Sequence, residues 1–380
     1  MKLLVNNSRK FTIAAAAIVV LGVHTFAFAA SGTWTAIADL HNARESHTAT
    51  LLSNGNVVVA GGQGSGNVTA NTEVYSPTTG AWTTSGNLNT ARASANAVLL
   101  PSGSVMVAGG CVSSCLGGNT NTAELYNSVN RSWSDTGSMA TARVYFGMVL
   151  LASGKVLAVG GCTGQNSNGC TGVTAKAEIY DPSTGKWAAT GSMKTARGAF
   201  TATLLQSGKV LVAGGINGAG NPIKSAELYD PSTGAFTYTA SMSTARDEHT
   251  ATLLASGHVM VTGGENTSSV STTTCEIYNP STKTWSSAGN LSTARQEHTA
   301  VLLANGNILV SGGNKQTAST TTVLSSAELY NSTTRAWSKI GSMTTARVGH
   351  SSTLLHSGKV LNAAGSDANN ELNSAETYQP

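Results

Sequence analysis

Short apolar runs broken by glycine-bearing turns recur from residue 44 to the end of the chain. Between Arg197 and Phe236, Thr201-Ala202-Thr203-Leu204-Leu205 leads to Ser207-Gly208, then Lys209-Val210-Leu211-Val212-Ala213, then Gly214-Gly215. Runs this short, bounded by turn residues, predict strands and not helices. The two-residue turn returns as Asn54-Gly55, Ser102-Gly103, Ser153-Gly154, Ser256-Gly257, Asn305-Gly306 and Ser357-Gly358. Glycine takes positive φ without strain, so each of these predicts a hairpin. After a variable loop, Ala226-Glu227-Leu228-Tyr229 is a third strand, Asp230-Pro231-Ser232-Thr233-Gly234 a tight turn, and Phe236 begins a fourth strand.

Seven copies of this unit follow one another, opened by Arg44, Arg92, Arg143, Arg197, Arg246, Arg295 and Arg347 at spacings of 48 to 54 residues. A period near fifty marks a repeat architecture, and four antiparallel strands per period predict one blade of a β-propeller. The expected fold is all-β: a seven-bladed propeller in a single domain over residues 30–380. Tyr75, Tyr126, Tyr180, Tyr229, Tyr278, Tyr330 and Tyr378 keep the same beat, and Trp82, Trp133, Trp187, Phe236, Trp285 and Trp337 stand seven residues after the first six. Large rings of this kind pack one twisted sheet on the next. Trp34 has no tyrosine before it and Tyr378 no tryptophan after it. Residues 33–37 are therefore expected to supply the outer strand of the last blade beside 376–378, which removes two exposed sheet edges.

The double glycine, the Glu-x-Tyr and the tryptophan resemble the kelch repeat, and the resemblance spans residues 33–380. One local departure is Ala364-Gly365 where Gly-Gly is expected. The resemblance implies a kelch-type propeller. Galactose-oxidase-like members of that group hold copper with two tyrosines and two histidines, one tyrosine being cross-linked to a cysteine. Here there is no Tyr-His dipeptide, four of the five cysteines fall in loops, and the tyrosines recur as blade core. Periplasmic sialic acid epimerases resemble the chain in export and kelch repeats but have six blades. No Gly-x-Ser-x-Gly, His-Glu-x-x-His or phosphate loop occurs, which leaves hydrolase and nucleotide chemistry without support. No cofactor and no metal is expected.

The first residues change the electrostatic picture. Lys2, Arg9 and Lys10 precede an uncharged, mostly apolar stretch, and Ala27-Phe28-Ala29 is a small-x-small site. This predicts a signal peptide over residues 1–29; an uncleaved membrane anchor is the competing interpretation. Cleavage takes three of the 22 basic residues and none of the 18 acidic ones. Near-neutrality then gives no field to attract nucleic acid or anionic lipid, and no later stretch could span a bilayer. The protein is expected to be secreted or periplasmic, and monomeric. Export permits disulfides: Cys111 and Cys162 each follow a double glycine, with Cys115 and Cys170 a few residues on. Two loop staples are the economical pairing among the three possible. A zinc site would need histidines that these loops lack. Cys275 stands where other repeats have alanine and is expected to be a buried small residue.

In a propeller the loops joining strands 2 and 3 share a face with the connections between blades. From the second glycine to the glutamate these loops run 11, 14, 17, 12, 12, 15 and 11 residues. Variable loops on a rigid repeat scaffold are the usual place for recognition, and their Ser, Thr, Asn and Gly content favours hydrogen bonding to a neutral polar ligand. The arginines could form an anion-binding ring at the channel mouth. Each, however, is matched by a glutamate opening strand 3 (Glu73, Glu124, Glu178, Glu227, Glu276, Glu328, Glu376), and repeated structural ion pairs are the favoured interpretation.

Three places after the arginines the symmetry breaks. His47, His249, His298 and His350 stand there in blades 1, 5, 6 and 7, against Ala95, Phe146 and Phe200 in blades 2, 3 and 4, with Tyr145 alongside. Glu45, Asp247, Glu248 and Glu297 cluster on the histidine side. One half of the mouth would be polar and the other aromatic, a combination suited to a sugar ring. Strand alternation opposes this, because neighbours such as Glu248 and His249 point to opposite faces unless the strand begins with a bulge. The expectation is a binding or scaffolding module with a protein or glycan ligand on the loop face. The alternative is a carbohydrate-active enzyme, epimerase- or oxidase-like, using acid–base groups at the mouth. A purely structural surface protein is a third possibility.

Overall fold

The computed structural model describes residues 32–113, 115, 118–166 and 169–380. The leader expected over residues 1–29 lies outside them. Among the described residues strands are the regular elements, arranged as seven four-stranded antiparallel sheets set around a ring. Blade 4 is representative: Thr201–Leu204, Val210–Ala213, Ala226–Asp230 and Ala235–Thr239 pair in chain order. Its first two strands end short of the apolar runs because Leu205 and Lys209 close the turn, the Leu205 amide donating to the Lys209 carbonyl at 2.8 Å. The innermost strands of successive blades face one another around the central channel.

Every second strand is buried along its whole length, from Val57–Ala60 to Val360–Ala363. Both of its faces are covered by neighbouring blades, which explains the continuous apolar runs where a half-exposed strand would alternate. The cores lie between blades; Leu52, Val58 and Val74 of blade 1 pack on Val105, Val107, Tyr126 and Trp133 of blade 2. Within each sheet the recurring tyrosine and its tryptophan (Phe236 in blade 4) lie directly across strands 3 and 4, with ring centroids 4.8–5.2 Å apart. Their polar tips tie each blade to the one before it. Trp82 Nε1 donates to Ala38 O at 3.0 Å, and the Tyr180 hydroxyl meets Thr136 Oγ1 at 2.7 Å.

The ring closes with chain ends in one sheet. Thr33–Ala36 pairs with Ala375–Gln379, Trp34 opposite Tyr378, so the first strand is the outer strand of blade 7. Both loop disulfides are formed, Cys111–Cys115 and Cys162–Cys170, with Cα separations of 4.9 and 5.6 Å. Cys275 is buried among Met260, Ala288, Leu291 and Ile308 between blades 5 and 6. Three of the strand 2–3 loops carry small hairpins of their own: Gln63–Gly64 with Asn67–Val68, Cys162–Asn166 with Gly169–Val173, and Asn314–Gln316 with Thr321–Val323.

The double glycine is used twice over. A Cβ on Gly161 would lie 2.5 Å from the Phe146 Cβ of its own blade, and one on Gly160 would lie 2.7 Å from the Phe200 Cε1 of the next. The first glycines sit at φ 61–67°, inside the left-handed region open to other residues, whereas the second sit at 86–102°. Hence the one departure from Gly-Gly falls on the first position, where Ala364 has φ 57°.

Candidate functional site

The arginines are the foundation of the mouth and not its lining. All seven side chains are 0–1% exposed, and each guanidinium meets its strand-3 glutamate at 2.6–3.1 Å. In blade 4, Arg197 Nη1 also donates to Gly214 O and Ser225 O, both at 2.8 Å. Glu227 accepts the backbone amides of Lys194 and Thr195 at 2.7 and 3.0 Å, which anchors the connection from the preceding blade. The same fork recurs at Glu73, Glu124, Glu276 and Glu328, while Glu178 and Glu376 take one such amide each. An anion approaching the channel would find no free guanidinium.

The second residue after each arginine is the element that builds the mouth. Ser46, Ser94, Tyr145, Ala199, Glu248, Glu297 and Gly349 all adopt left-handed backbone, φ 50–61°. Left-handed φ costs an L-residue of order 1–3 kcal/mol and persists where the surroundings hold it. Here the holding contacts run from blade to blade: Ser46 N to Gly349 O, Ser94 N to Ser46 O, Ala199 N to Tyr145 O, Glu248 N to Ala199 O and Glu297 N to Glu248 O, at 2.8–3.2 Å. This kink breaks strand alternation before the strand begins, so the second and third residues both face the mouth. Glu248 and His249 line one cavity, against the alternation expected for neighbours in a strand.

That cavity has a volume of about 370 Å³ and takes its walls from the second and third residues of every blade. All nine candidate residues are among them: His47, Tyr145, Phe146, Phe200, Glu248, His249, Glu297, His298 and His350. Ser46, Ser94, Asn96 and Thr299, which sequence patterning did not single out, add polar groups to the wall. Clefts of 360–520 Å³ on the opposite rim recur between blades 2 and 3, 3 and 4, 4 and 5, and 5 and 6 with similar turn residues. They repeat with the blades, whereas the residues lining the mouth change from blade to blade.

The histidines occupy the mouth differently from the polar, titratable role expected of them. His249, His298 and His350 fill the slot that Phe146 and Phe200 fill in blades 3 and 4, the ring edge over the first glycine of the preceding blade. His249 Nε2 meets Thr201 Oγ1 at 3.1 Å, His298 Nε2 meets Thr250 Oγ1 at 2.9 Å, His350 Nε2 meets Thr299 Oγ1 at 3.1 Å and His47 Nε2 meets Ser351 Oγ at 2.8 Å. Burial, reinforced by the arginine beneath, lowers His47 and His249 to about 3 and holds His298 and His350 well below 6.5. They are neutral packing rings at physiological pH.

Carboxyl groups supply the charge instead. Burial and the neighbouring Glu297, Asp247 and Glu265 push Glu248 well above the usual carboxylate range. Glu297 is exposed to the cavity, yet the concave walls withhold enough solvent to raise it too, with Glu45 and Glu265 adding repulsion. Asp247 rises to about 7 through burial and the Glu265 charge. Gln296 Nε2 bridges Glu248 and Glu265 at 3.2 and 3.0 Å, and Asn314 Nδ2 donates to Glu297 at 2.7 Å. Glu45 accepts from the Ser366 hydroxyl. Glu265 was not visible as a site residue; its signal was its place after a double glycine, the position that pairs with the residue following the arginine. Opposite stands Tyr145, 45% exposed, its hydroxyl within reach of Ser94 and Gln165 and raised by burial.

Seven four-stranded blades, closed by the first strand and joined by arginine–glutamate forks, define a seven-bladed β-propeller. The description KLHDC2/KLHL20/DRC7 Kelch-repeats domain matches residues 147–365, and the Kelch motif matches residues 46–89. The chain belongs to the kelch-repeat family. No curated protein matches it. Among solved structures it is similar to a novel fungal alcohol oxidase of the AA5 family in complex with copper, with a TM-score of 0.73 and 18% identity over 92% of this chain and 76% of that chain. That likeness is one of fold. The mouth does not offer a copper set: its histidines spend Nε2 on hydroxyl groups and Tyr145 is its one tyrosine. Among the described residues no group of three His, Cys, Asp or Glu side chains could hold a metal ion.

Proposed function

We propose that the protein is an exported binding module whose ligand surface is the loop face, centred on the channel mouth, and whose ligand is a protein or a glycan. The observation that carries this is the mouth cavity, whose walls differ from blade to blade: carboxyl groups on blades 5 and 6, aromatic rings on blades 3 and 4. Left-handed backbone held by interblade hydrogen bonds preorganises it, and preorganisation favours binding by lowering the ordering cost. Export is supported by the basic, apolar, small-x-small leader and by two disulfides, which persist in oxidising compartments. The test is thermal unfolding of the purified protein against oligosaccharides and peptide pools. A ligand at a hundred times its dissociation constant stabilises by about 2.7 kcal/mol. The shift should vanish in Tyr145→Ala; a shift that survives would move the site to the outer loops.

A second function is favoured by a specific observation, the raised Glu248 and Glu297 carboxyls at the cavity wall. A protonated carboxyl beside an ionised one is the arrangement of an acid–base pair. Turnover of a sugar substrate abolished by Glu248→Gln would establish the carbohydrate-active alternative.

A further inference from the structure

If the mouth is the ligand site, its charges say more about the group that enters. The charges acting on Glu248 come from Glu297, Asp247 and Glu265, and those acting on Glu297 from Glu45 and Glu265; all are negative. Arg246 and Arg295 lie beneath but are sealed against Glu276 and Glu328. His249 and His298, packed below, are held neutral by burial. Gln296 and Asn314 answer three of the carboxyls with amide donors. A buried acceptor is left over: Asp247, 7% exposed, has an Oδ1 without a hydrogen-bond partner, in a carboxyl close enough to Glu265 and Glu297 to be raised by both. Across the cavity stands the half-exposed Tyr145 ring, with Phe200 beside it.

We infer that the mouth receives a lysine or arginine side chain presented by a protein partner, its stem along Tyr145 and Phe200 and its charged head between Glu248 and Glu297. Three properties meet in that group. Its charge answers carboxyl groups that otherwise repel one another. Its apolar stem and cationic head suit an aromatic wall facing an acidic one. Its size suits a cavity of about 370 Å³. A neutral glycan would leave the repulsion in place, and a bare metal ion finds no converging set of three ligands among the described residues.

A cation entering this site displaces protons from the carboxyls, so its affinity rises with pH. The experiment is titration calorimetry of the purified protein with agmatine and with n-butylammonium, at pH 5 and pH 8, with 1-butanol as the neutral control. Expected are binding at least tenfold tighter at pH 8, proton release on binding, no heat from 1-butanol, and at least tenfold weaker binding in Glu248→Gln and in Glu297→Gln, both isosteric and checked for an unchanged fold by circular dichroism. Equal affinity at both pH values, or no binding of either cation at about 10 mM and pH 8, overturns the inference. If cations fail while an oligosaccharide binds in a Tyr145-dependent way, the mouth stands as the site and only its charge preference falls. If nothing binds through Tyr145, the mouth itself falls.

Discussion

Arg44 holds the seam where the ring closes, and its replacement by methionine tests what the repeated ion pairs contribute. Its Nη1 donates to Gly61 O at 2.9 Å and Asn71 O at 2.7 Å, and its Nη2 meets Glu73 Oε1 at 2.8 Å. Glu73, fully buried, also takes the amides of His41 and Asn42 at 2.7 and 3.1 Å, so it pins the connection that enters blade 1 from blade 7. Methionine matches the length of the side chain but leaves Glu73 buried without its cation. Breaking a buried pair from one side costs about 3–5 kcal/mol, a large share of the stability of an ordinary domain.

The pH dependence sharpens the test. Burial alone would raise Glu73, but the hydrogen bonds from His41, the Arg44 charge and Asn42 together hold it below 4.5. In the native protein its ionised form therefore stabilises the fold above its unfolded value, and that contribution is lost as pH falls through the lower folded value. In Arg44→Met the cation is gone and the folded value rises. The penalty should be full at pH 7 and shrink on acidification towards pH 4.5. Urea denaturation followed by fluorescence of Trp34 and Trp82, which flank the seam, measures both. A cost below about 1 kcal/mol at pH 7, or one equal at both pH values, would refute the account. Arg44→Lys should fall between, keeping the charge but losing the fork.

His249→Phe, copying blades 3 and 4, should be close to neutral at pH 7.5 and stabilising in acid. The folded value of His249 is near 3 against 6.5 unfolded, so the native protein loses about 1.4 kcal/mol per pH unit below 6.5 that the variant keeps, read as the difference in unfolding free energy. Glu248→Gln should show the opposite sign: its carboxyl is raised above 4.5 when folded, so the variant gains stability as pH rises above that value, visible as a higher Tm at pH 8 than the native protein. In blade 7, Ala364→Gly should change stability by about 1 kcal/mol or less, because φ 57° is open to both residues. Gly365→Ala should cost about 2 kcal/mol or more, since its Cβ would lie 2.7 Å from Val348 O at φ 97°; equal effects of the two substitutions would contradict the division of labour within the double glycine.

Much of this molecule is local and therefore written in the chain. A hairpin needs only two residues able to take its turn, so Ser207-Gly208 and its six counterparts mark every first-to-second strand connection. The spacing of tyrosine and tryptophan follows from direct opposition across strands 3 and 4, so the unpaired Trp34 and Tyr378 were enough to close the ring. The matched arginines and glutamates follow the same repeat. What the tertiary structure decided is how neighbouring blades meet. In five of the seven blades the amide of the left-handed residue two places after the arginine is held by the carbonyl of another blade, and no local pattern announces a non-glycine such as Glu248 or Glu297 in that conformation. The same holds for the histidines, whose neutrality comes from burial between blades, and for Glu265, which Gln296 bridges to Glu248 from the next blade. Periodicity reports contacts within a sheet; the chemistry of the mouth arises between sheets, from residues about fifty apart that only the closed ring brings together.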